Sequence, residues 1–338
     1  MLARGPGTVE SLERHMRTTL KRQIVFVTGA DGFIGSHLTR RLIEDGARVH
    51  IFLKKDADHA RLKDVFSHLA VWEGDIRNFR TAVSCLKKIR PAFIYHLAAL
   101  RNVARQPELI EEMMDVNVKG TISLLAAALE TLPRLKCFIN TGTCEEYGNG
   151  PVPFRERQRE APVSPYSASK VAATYYGQMM FSSFGLPVTT LRPFLTYGPQ
   201  QDKDMFIPAL ITHCLERKDF PMTEGDQTRE FNYVSDVVDA FICAARRFRV
   251  CLGEVINVGN GREYTIFDVA QKVVKLMGNP ISLLNGAIPK RIGEAARFFS
   301  DSKKARILLR WRPRVGLDDG LKKTIAWYRK NRGDHAGI

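Results

Sequence analysis

Apolar residues along the first part of the chain gather in short runs, IVFVTG, ARVHIFL, HLAVWEGD, FIYHLAAL, KCFINTG and VTTLRPF, rich in β-branched and aromatic side chains. Runs this short and this apolar predict strands buried on both faces. Between them lie stretches such as HLTRRLIEDG and TISLLAAALETL, whose apolar positions recur at helical spacing. Strand and helix alternate, so the pattern predicts an α/β fold: a doubly wound parallel sheet covered by helices on both faces, with its ligand at the carboxyl ends of the strands. Beyond about residue 195 the rhythm loosens into segments punctuated by proline and glycine, with helical spacing around PALITHCLERK, VSDVVDAFICAARR and TIFDVAQKVVKLM. The expected division is a basic, flexible tail over 1–22, a dinucleotide-binding domain over 23–194, and a smaller, mainly substrate-binding lobe over 195–338, some segments of which return to the first domain.

Composition narrows the class without changing the fold. A chain of 338 residues with 44% hydrophobic and 26% charged content buries a sizeable core unaided. Its 6 cysteines are scattered singly, with no CxxC pair and no Cys/His cluster, so no disulfide framework and no metal site is expected, and a reducing, cytoplasmic compartment fits. No apolar run approaches the roughly 20 residues that span a bilayer. The opening MLARGPGTVESLERHMRTTLKRQ lacks the apolar core of a secretion signal, so no membrane partner is expected. The net charge of +15 is compatible with nucleic acid, an acidic membrane surface or a small anionic ligand. Its basic residues are spread through LKKDADHARLK, FRERQRE, ARRFR and DSKKARILLRWRPR without an aromatic-interleaved patch. That distribution sets nucleic acid aside.

The stretch TGADGFIG places Gly29, Gly32 and Gly35 three residues apart between a buried strand and a helix. Missing side chains let backbone approach a pyrophosphate, and the helix N-terminus offers N–H groups and a partial positive charge. The end of the next strand distinguishes the two nicotinamide dinucleotides, because a carboxylate there binds a ribose 2′-hydroxyl and basic groups accept a 2′-phosphate. VHIFLKK puts Leu53 where the acid is expected, followed by Lys54 and Lys55, which favours NADP. Asp56 or Asp58 bending back to the ribose would instead favour NAD.

A second constellation is SPYSASK, with Tyr166 and Lys170 four apart on one helix face, preceded by TGTCEEYG with Thr143 and Glu145. An ammonium beside a phenol stabilises phenolate, so Lys170 is expected to lower the pKa of Tyr166 and make it usable as base and, in reverse, as acid. Thr143 offers a hydroxyl to the substrate oxygen.

The GxxGxxG spacing with the Phe33-Ile34 pair, and the Thr143, Tyr166, Lys170 set, resemble the extended short-chain dehydrogenase/reductase superfamily. Within it they resemble the nucleotide-sugar-modifying, NAD-dependent epimerase/dehydratase family, over about residues 23 to 330. The resemblance implies a Rossmann-type fold and a homodimer through a four-helix bundle that includes TISLLAAALETL and the Tyr166 helix. It implies cofactor contacts from Asp75 and Ile76, from Leu97, Ala98 and Ala99, from Asn117, from Pro193, and from Tyr166 and Lys170 themselves. It also implies a nucleotide-diphosphate sugar as substrate, its diphosphate gripped by Arg229 of REFNYVSD and by Arg291 of RIGEAARFFSD, with Arg297 a further candidate. Leu195 departs from the pattern, standing where the family usually has an asparagine that contacts substrate.

Members of the family exchange a hydride with C4 of a hexose and differ in the fate of the keto sugar. Glu145 matches the glutamate of dehydratases and decarboxylases, but GDP-4-keto-6-deoxymannose reductases share the EEYG ending. Cys144 stands where dTDP-glucose-type dehydratases have an aspartic acid, and a thiol replaces that acid poorly, which counts against that subtype, although GDP-mannose-type dehydratases manage without it. A reductase consumes its cofactor each turnover and would draw on NADPH, in keeping with Lys54 and Lys55. These features rank NDP-4-keto-6-deoxyhexose 4-reductase first, 4-epimerase second and 4,6-dehydratase third. A non-catalytic dinucleotide-binding protein is the alternative from another class; such a protein would be expected to have lost Tyr166 or Lys170.

Overall fold

The computed structural model describes residues 19–290 and 293–331. The expected N-terminal tail lies outside the described residues as far as residue 18, and Arg291 lies outside them too. Seven parallel strands form the central sheet: β1 (Ile24–Thr28), β2 (Arg48–Leu53), β3 (Ala70–Glu73), β4 (Phe93–His96), β5 (Cys137–Thr141), β6 (Val188–Pro193) and Val255–Val258. The last of these is β11, because four short strands intervene in the chain: β7 (Thr196–Tyr197), β8 (Phe220–Met222), β9 (Thr228–Arg229) and β10 (Asn232–Tyr233). The order across the sheet is β11-β6-β5-β4-β1-β2-β3. Chain direction therefore reverses its march between β1 and β4, which opens a crevice at the carboxyl edge of those two strands.

The inner strands are buried because both faces are covered, whereas β3, expected to be buried, lies at the edge of the sheet and is largely exposed. On one side, α1 (Phe33–Glu44) packs with a helix over Val234–Arg246 against Val25, Val27, Ile51 and Tyr95. On the other, α2 (Phe79–Ile89), a helix over Gly120–Thr131 and one over Pro165–Phe184 close over Phe26, Phe52, Ile94 and Phe138. Alternating residues of one strand serve opposite cores, as the two-residue repeat of a strand requires.

A third core, with Ile207, Leu210, Val269, Val273, Leu321 and Ile325, holds together the helices Phe206–Glu216, Ile266–Leu276 and Leu317–Lys330. These belong to the later part of the chain, whose short strands form small separate sheets: β7 with β10, β8 with β13 (Leu283–Asn285), and β9 between β12 (Tyr264–Thr265) and β14 (Arg297–Phe298). Val255–Val258 leaves this region to pair with β6 in the large sheet. Among the described residues no helix is long and apolar enough to cross a membrane.

Candidate active site

The glycine turn follows β1 and is shaped by two contacts. Gly29 has φ +68°, and a Cβ on it would lie 2.5 Å from the Ala98 nitrogen, so only glycine lets this turn lie on the end of β4. A Cβ on Gly35 would overlap the Gly29 carbonyl oxygen, so the first turn of α1 closes tightly over the loop. Gly32 is the N-cap of α1, no side chain caps it, and its first turn carries no acidic residue. The cradle thus presents backbone N–H groups and the positive end of a helix dipole where an anion would sit. A nicotinamide dinucleotide's pyrophosphate fits these residues.

Gly29, Gly32, Phe33, Ile34, Gly35, Leu97, Ala99 and Pro193 line one continuous cleft with Thr143, Cys144, Glu145, Tyr166 and Lys170. Ala98 sits behind it, its backbone amide donating to Thr28 Oγ1. The cleft brings together chemistry from strand ends that are far apart in sequence, as the crossover topology demands.

Thr143 caps the short helical turn Cys144–Tyr147 after β5. Its amide donates to Glu146 Oε1 at 2.8 Å and its hydroxyl accepts from the Glu145 amide at 3.3 Å. Tyr166 and Lys170 lie on the helix Pro165–Phe184, started by Ser164, whose hydroxyl accepts from the Ser167 amide. Both side chains are buried. Thr143 favours the Tyr166 phenolate and both line the cleft, so the two hydroxyls form one paired site for a single substrate oxygen.

Electrostatics here correct one expectation. Burial pushes the Tyr166 phenol well above its ordinary value, and the groups that oppose this are Thr143, by hydrogen bonding, and the Arg101 charge. Lys170 is not among them. Burial lowers Lys170 itself to about 8, with the Glu146 carboxylate acting the other way. The Lys170 ammonium lines the cleft with Tyr166, and its charge also bears on His96 and Glu146. His96 stays neutral at ordinary pH, pushed down to about 3 by burial and clasped between the hydroxyls of Thr28 and Thr121 at 2.7 and 2.9 Å.

Cys144 is buried too, and its thiol is held well above its usual range by burial, with the Glu145 charge adding to the shift. It is a neutral thiol beside Tyr166. Leu195, 40% exposed, lines the same cleft and presents an apolar side chain.

Asn117 lies outside the cleft lining. It sits in a π-helical turn, Met114–Lys119, and its amide both accepts from the Leu100 N–H at 2.7 Å and donates to the Leu100 carbonyl and to Ser169 Oγ. The widened turn lets one buried side chain tie the loop after β4 to the Tyr166 helix. Lys54 and Lys55 are exposed beyond the buried Leu53. The Asp58 carboxylate is engaged by the Ala60 amide at 2.8 Å. Asp75 holds Arg77 through several short hydrogen bonds, and Ile76 packs where a Cβ on Gly120 would fall.

The arginines divide. Arg229 is largely buried over Phe298, donating to the Ala295 carbonyl and to Glu294 at 2.7 Å, outside the cleft lining. Arg297 is exposed and paired with Glu263, so the structure does not bring it to the site. Two arginines that the sequence did not single out do line the cleft. Arg101 follows the Leu97–Ala99 segment and lies against Met205, and Arg61 reaches the Asp31 carbonyl of the glycine turn and Asp202. The signal for Arg101 was its place, just past a strand's carboxyl end; Arg61 carried none. A wider opening of about 930 Å³ continues outward past Arg61 and Arg101 to Tyr328.

The family profile described as the NAD dependent epimerase/dehydratase family matches residues 25–259. The chain is 32% identical over 324 residues to human dTDP-D-glucose 4,6-dehydratase, covering 91% of this chain and 90% of that one. It is also 32% identical over 325 residues to the trifunctional UDP-glucose 4,6-dehydratase/UDP-4-keto-6-deoxy-D-glucose 3,5-epimerase/UDP-4-keto-L-rhamnose-reductase of Arabidopsis thaliana. That match takes in 93% of this chain but only 48% of the plant protein, so the chain spans about half its length. Among solved structures, UDP-glucuronic acid 4-epimerase from Bacillus cereus, in complex with UDP-glucuronic acid and NAD, superposes with a TM-score of 0.82. The identity there is 28%, with 91% of this chain and 99% of that one covered.

Proposed function

We propose, for a chain that belongs to the NAD-dependent epimerase/dehydratase family and is an enzyme of that family, that it transfers hydride at C4 of a nucleotide-diphosphate hexose and that its net reaction is reduction of a 4-keto-6-deoxyhexose to the alcohol. The observation that carries the choice of reaction is Cys144. Dehydration of the dTDP-glucose type uses an aspartic acid at this place to protonate the departing oxygen, and this buried thiol, held above its usual range beside Tyr166, is a poor replacement. Reduction needs no such acid.

In this reading the C4 carbonyl oxygen accepts hydrogen bonds from the Thr143 and Tyr166 hydroxyls. When bound in the glycine cradle, the reduced nicotinamide supplies the hydride. Burial keeps the Tyr166 phenol protonated until the oxygen of C4 takes its proton, and Thr143 and the Arg101 charge, which favour the phenolate, oppose burial as that proton leaves. Lys170 keeps a positive charge beneath the site below its pKa of about 8. Glu145, in the cleft, orders the loop through its amide bond to Thr143. The sugar's diphosphate is assigned to Arg101, a guanidinium in the cleft, with Arg229, outside the lining and held by Glu294, as the sequence's candidate that would have to leave that pair.

Lys54 and Lys55 make NADPH the preferred reductant. Support comes from the buried Leu53, which leaves no acid at the strand end, and from Asp58, whose carboxylate is taken by its own loop. The deciding assay tracks the absorbance of reduced nicotinamide with purified protein and a panel of nucleotide sugars and their 4-keto forms. NADPH consumed only with a 4-keto-6-deoxy sugar is the expected result. Copurified NAD that stays constant while a sugar is interconverted would make the protein an epimerase. Lys54→Ala should raise KM for NADPH by about tenfold and leave NADH unaffected, the loss of one charge-assisted phosphate contact; equal effects on both cofactors would remove the NADPH assignment.

The six cysteines, none of them in a disulfide, suit a reducing, cytoplasmic setting. Homodimerisation is supported by exposed apolar side chains on the Tyr166 helix and the segment packed beside it: Tyr175 (52%), Phe184 (57%), Ile110 (52%) and Met114 (49%). Sedimentation at micromolar concentration should show twice 38.2 kDa; a monomer alone would refute it.

A further inference from the structure

The C-terminal basic run, DSKKARILLRWRPR, has no part in the catalytic cleft, and the structure gives it a place. It borders a separate cavity of about 640 Å³, formed by the loop after β11, the π-turn Ala305–Leu309 and the chain leading into the helix Leu317–Lys330. Arg262, Arg306, Arg312 and Arg314 line it, with Phe231 and Tyr264 as its aromatic wall. It shares no lining residue with the catalytic cleft.

Among the described residues, no carboxylate lines this cavity. All four arginines are exposed, and among the described residues none of their guanidinium groups makes a hydrogen bond or an ion pair, while the Arg314 charge bears on the Asp236 carboxylate. That sets them apart from Arg40, Arg41, Arg77, Arg192, Arg229 and Arg297, each held by a carboxylate. The neighbouring acids are already engaged. Asp236 is buried and accepts from the Val315 amide at 2.9 Å, and Asp318 is paired with Lys272 at 2.9 Å. Gly316, at the mouth, caps the last helix without a side chain. Four like charges around one concavity repel one another, and a multiply charged anion relieves that repulsion while filling forked donors suited to phosphate oxygens.

We propose that this cavity is a second anion site, distinct from the catalytic one, and that it binds a small molecule carrying two or more phosphate groups. Its volume, within the range of small-ligand sites, favours such a ligand over an extended polymer. Tyr264 offers a face on which a ring joined to those phosphates stacks.

The test is calorimetric titration of the full chain with inorganic tripolyphosphate at physiological ionic strength, the catalytic cleft first saturated with NADPH. One tripolyphosphate per chain is expected, and the exchange Arg312→Ser with Arg314→Ser should weaken it about a hundredfold, about tenfold for each guanidinium removed. The same double variant should turn over substrate as the parent does, since neither residue lines the catalytic cleft. Absence of binding at millimolar tripolyphosphate would overturn the proposal. So would binding that survives the double exchange but is lost on Arg101→Ala, which would put the anion in the catalytic cleft. A single-stranded oligonucleotide that binds more tightly than tripolyphosphate, with affinity growing with its length, would overturn it in favour of a nucleic-acid surface. None of these outcomes depends on which sugar the catalytic site reduces.

Discussion

Replacing Tyr166 with Phe should lower kcat by about a thousandfold, the middle of the range for loss of a positioned general acid, while leaving KM for the cofactor within a few fold. The ring keeps its place because the helix Pro165–Phe184 is fixed by the Ser164 cap and by Asn117 bonding Ser169, neither of which involves the hydroxyl. What disappears is the proton and one of the two donors aimed at the substrate oxygen, the other being Thr143. Transient kinetics of hydride transfer reads the effect directly; unchanged transfer would remove Tyr166 from the mechanism. The pH profile supplies a second reading. Tyr166 is held protonated by burial, so it sets no limb near neutrality in the direction of ketone reduction. Lys170 does, since its pKa is lowered to about 8, and a lysine is charged below its pKa and neutral above. In that direction kcat/KM should be level at lower pH and fall as pH rises through about 8. Lys170→Arg, which stays charged throughout, should abolish that limb even where it lowers the plateau.

Much of this site was legible because its signals are local. The glycine turn joins a strand to the very next helix, and Tyr166 and Lys170 are one helical turn apart. What stayed hidden depends on contacts between distant segments. Arg297 was a candidate by its segment, yet adjacent strand residues point to opposite faces. Phe298 is buried, so Arg297 must face solvent, where Glu263 holds it. Lys170 was expected to act on Tyr166 through their spacing alone. The helix geometry permits that contact, but the buried Glu146, brought in from the turn after β5, gives the ammonium another partner. Arg61 entered the cleft because the loop after β2 folds back over the glycine turn, a closure no spacing encodes.

Arg192→Met should be the most destabilising single change in the catalytic half of the molecule. Arg192 is fully buried in β6, its Nε donating to Glu146 at 2.9 Å and its Nη2 lying 2.6 Å from both Glu146 and Glu160, with the guanidinium over the Tyr147 ring. One cation therefore serves two carboxylates, one of them wholly buried. Methionine fills similar space but leaves Glu146 only the more distant Lys170 charge, and breaking a buried pair from one side costs about 3–5 kcal/mol. The loss should have a pH signature. Burial already raises the Glu146 pKa, and without Arg192, the main charge opposing that shift, it rises further. A carboxyl with a raised folded-state pKa is best tolerated when protonated, so the deficit against the parent should narrow as pH falls and widen as pH rises through that pKa. Adding Glu146→Gln to Arg192→Met should recover part of the stability, because the buried charge is gone while the amide oxygen still accepts from Thr143. A double variant less stable than Arg192→Met alone would show that the isolated carboxylate is not the source of the loss. Turnover separates structure from chemistry here, since Glu146 holds the Thr143 backbone at 2.8 Å and so aims the hydroxyl paired with Tyr166. Arg192→Met should therefore lower kcat even at temperatures where the variant remains folded, and full activity in the folded variant would mean that Thr143 is aimed without this network.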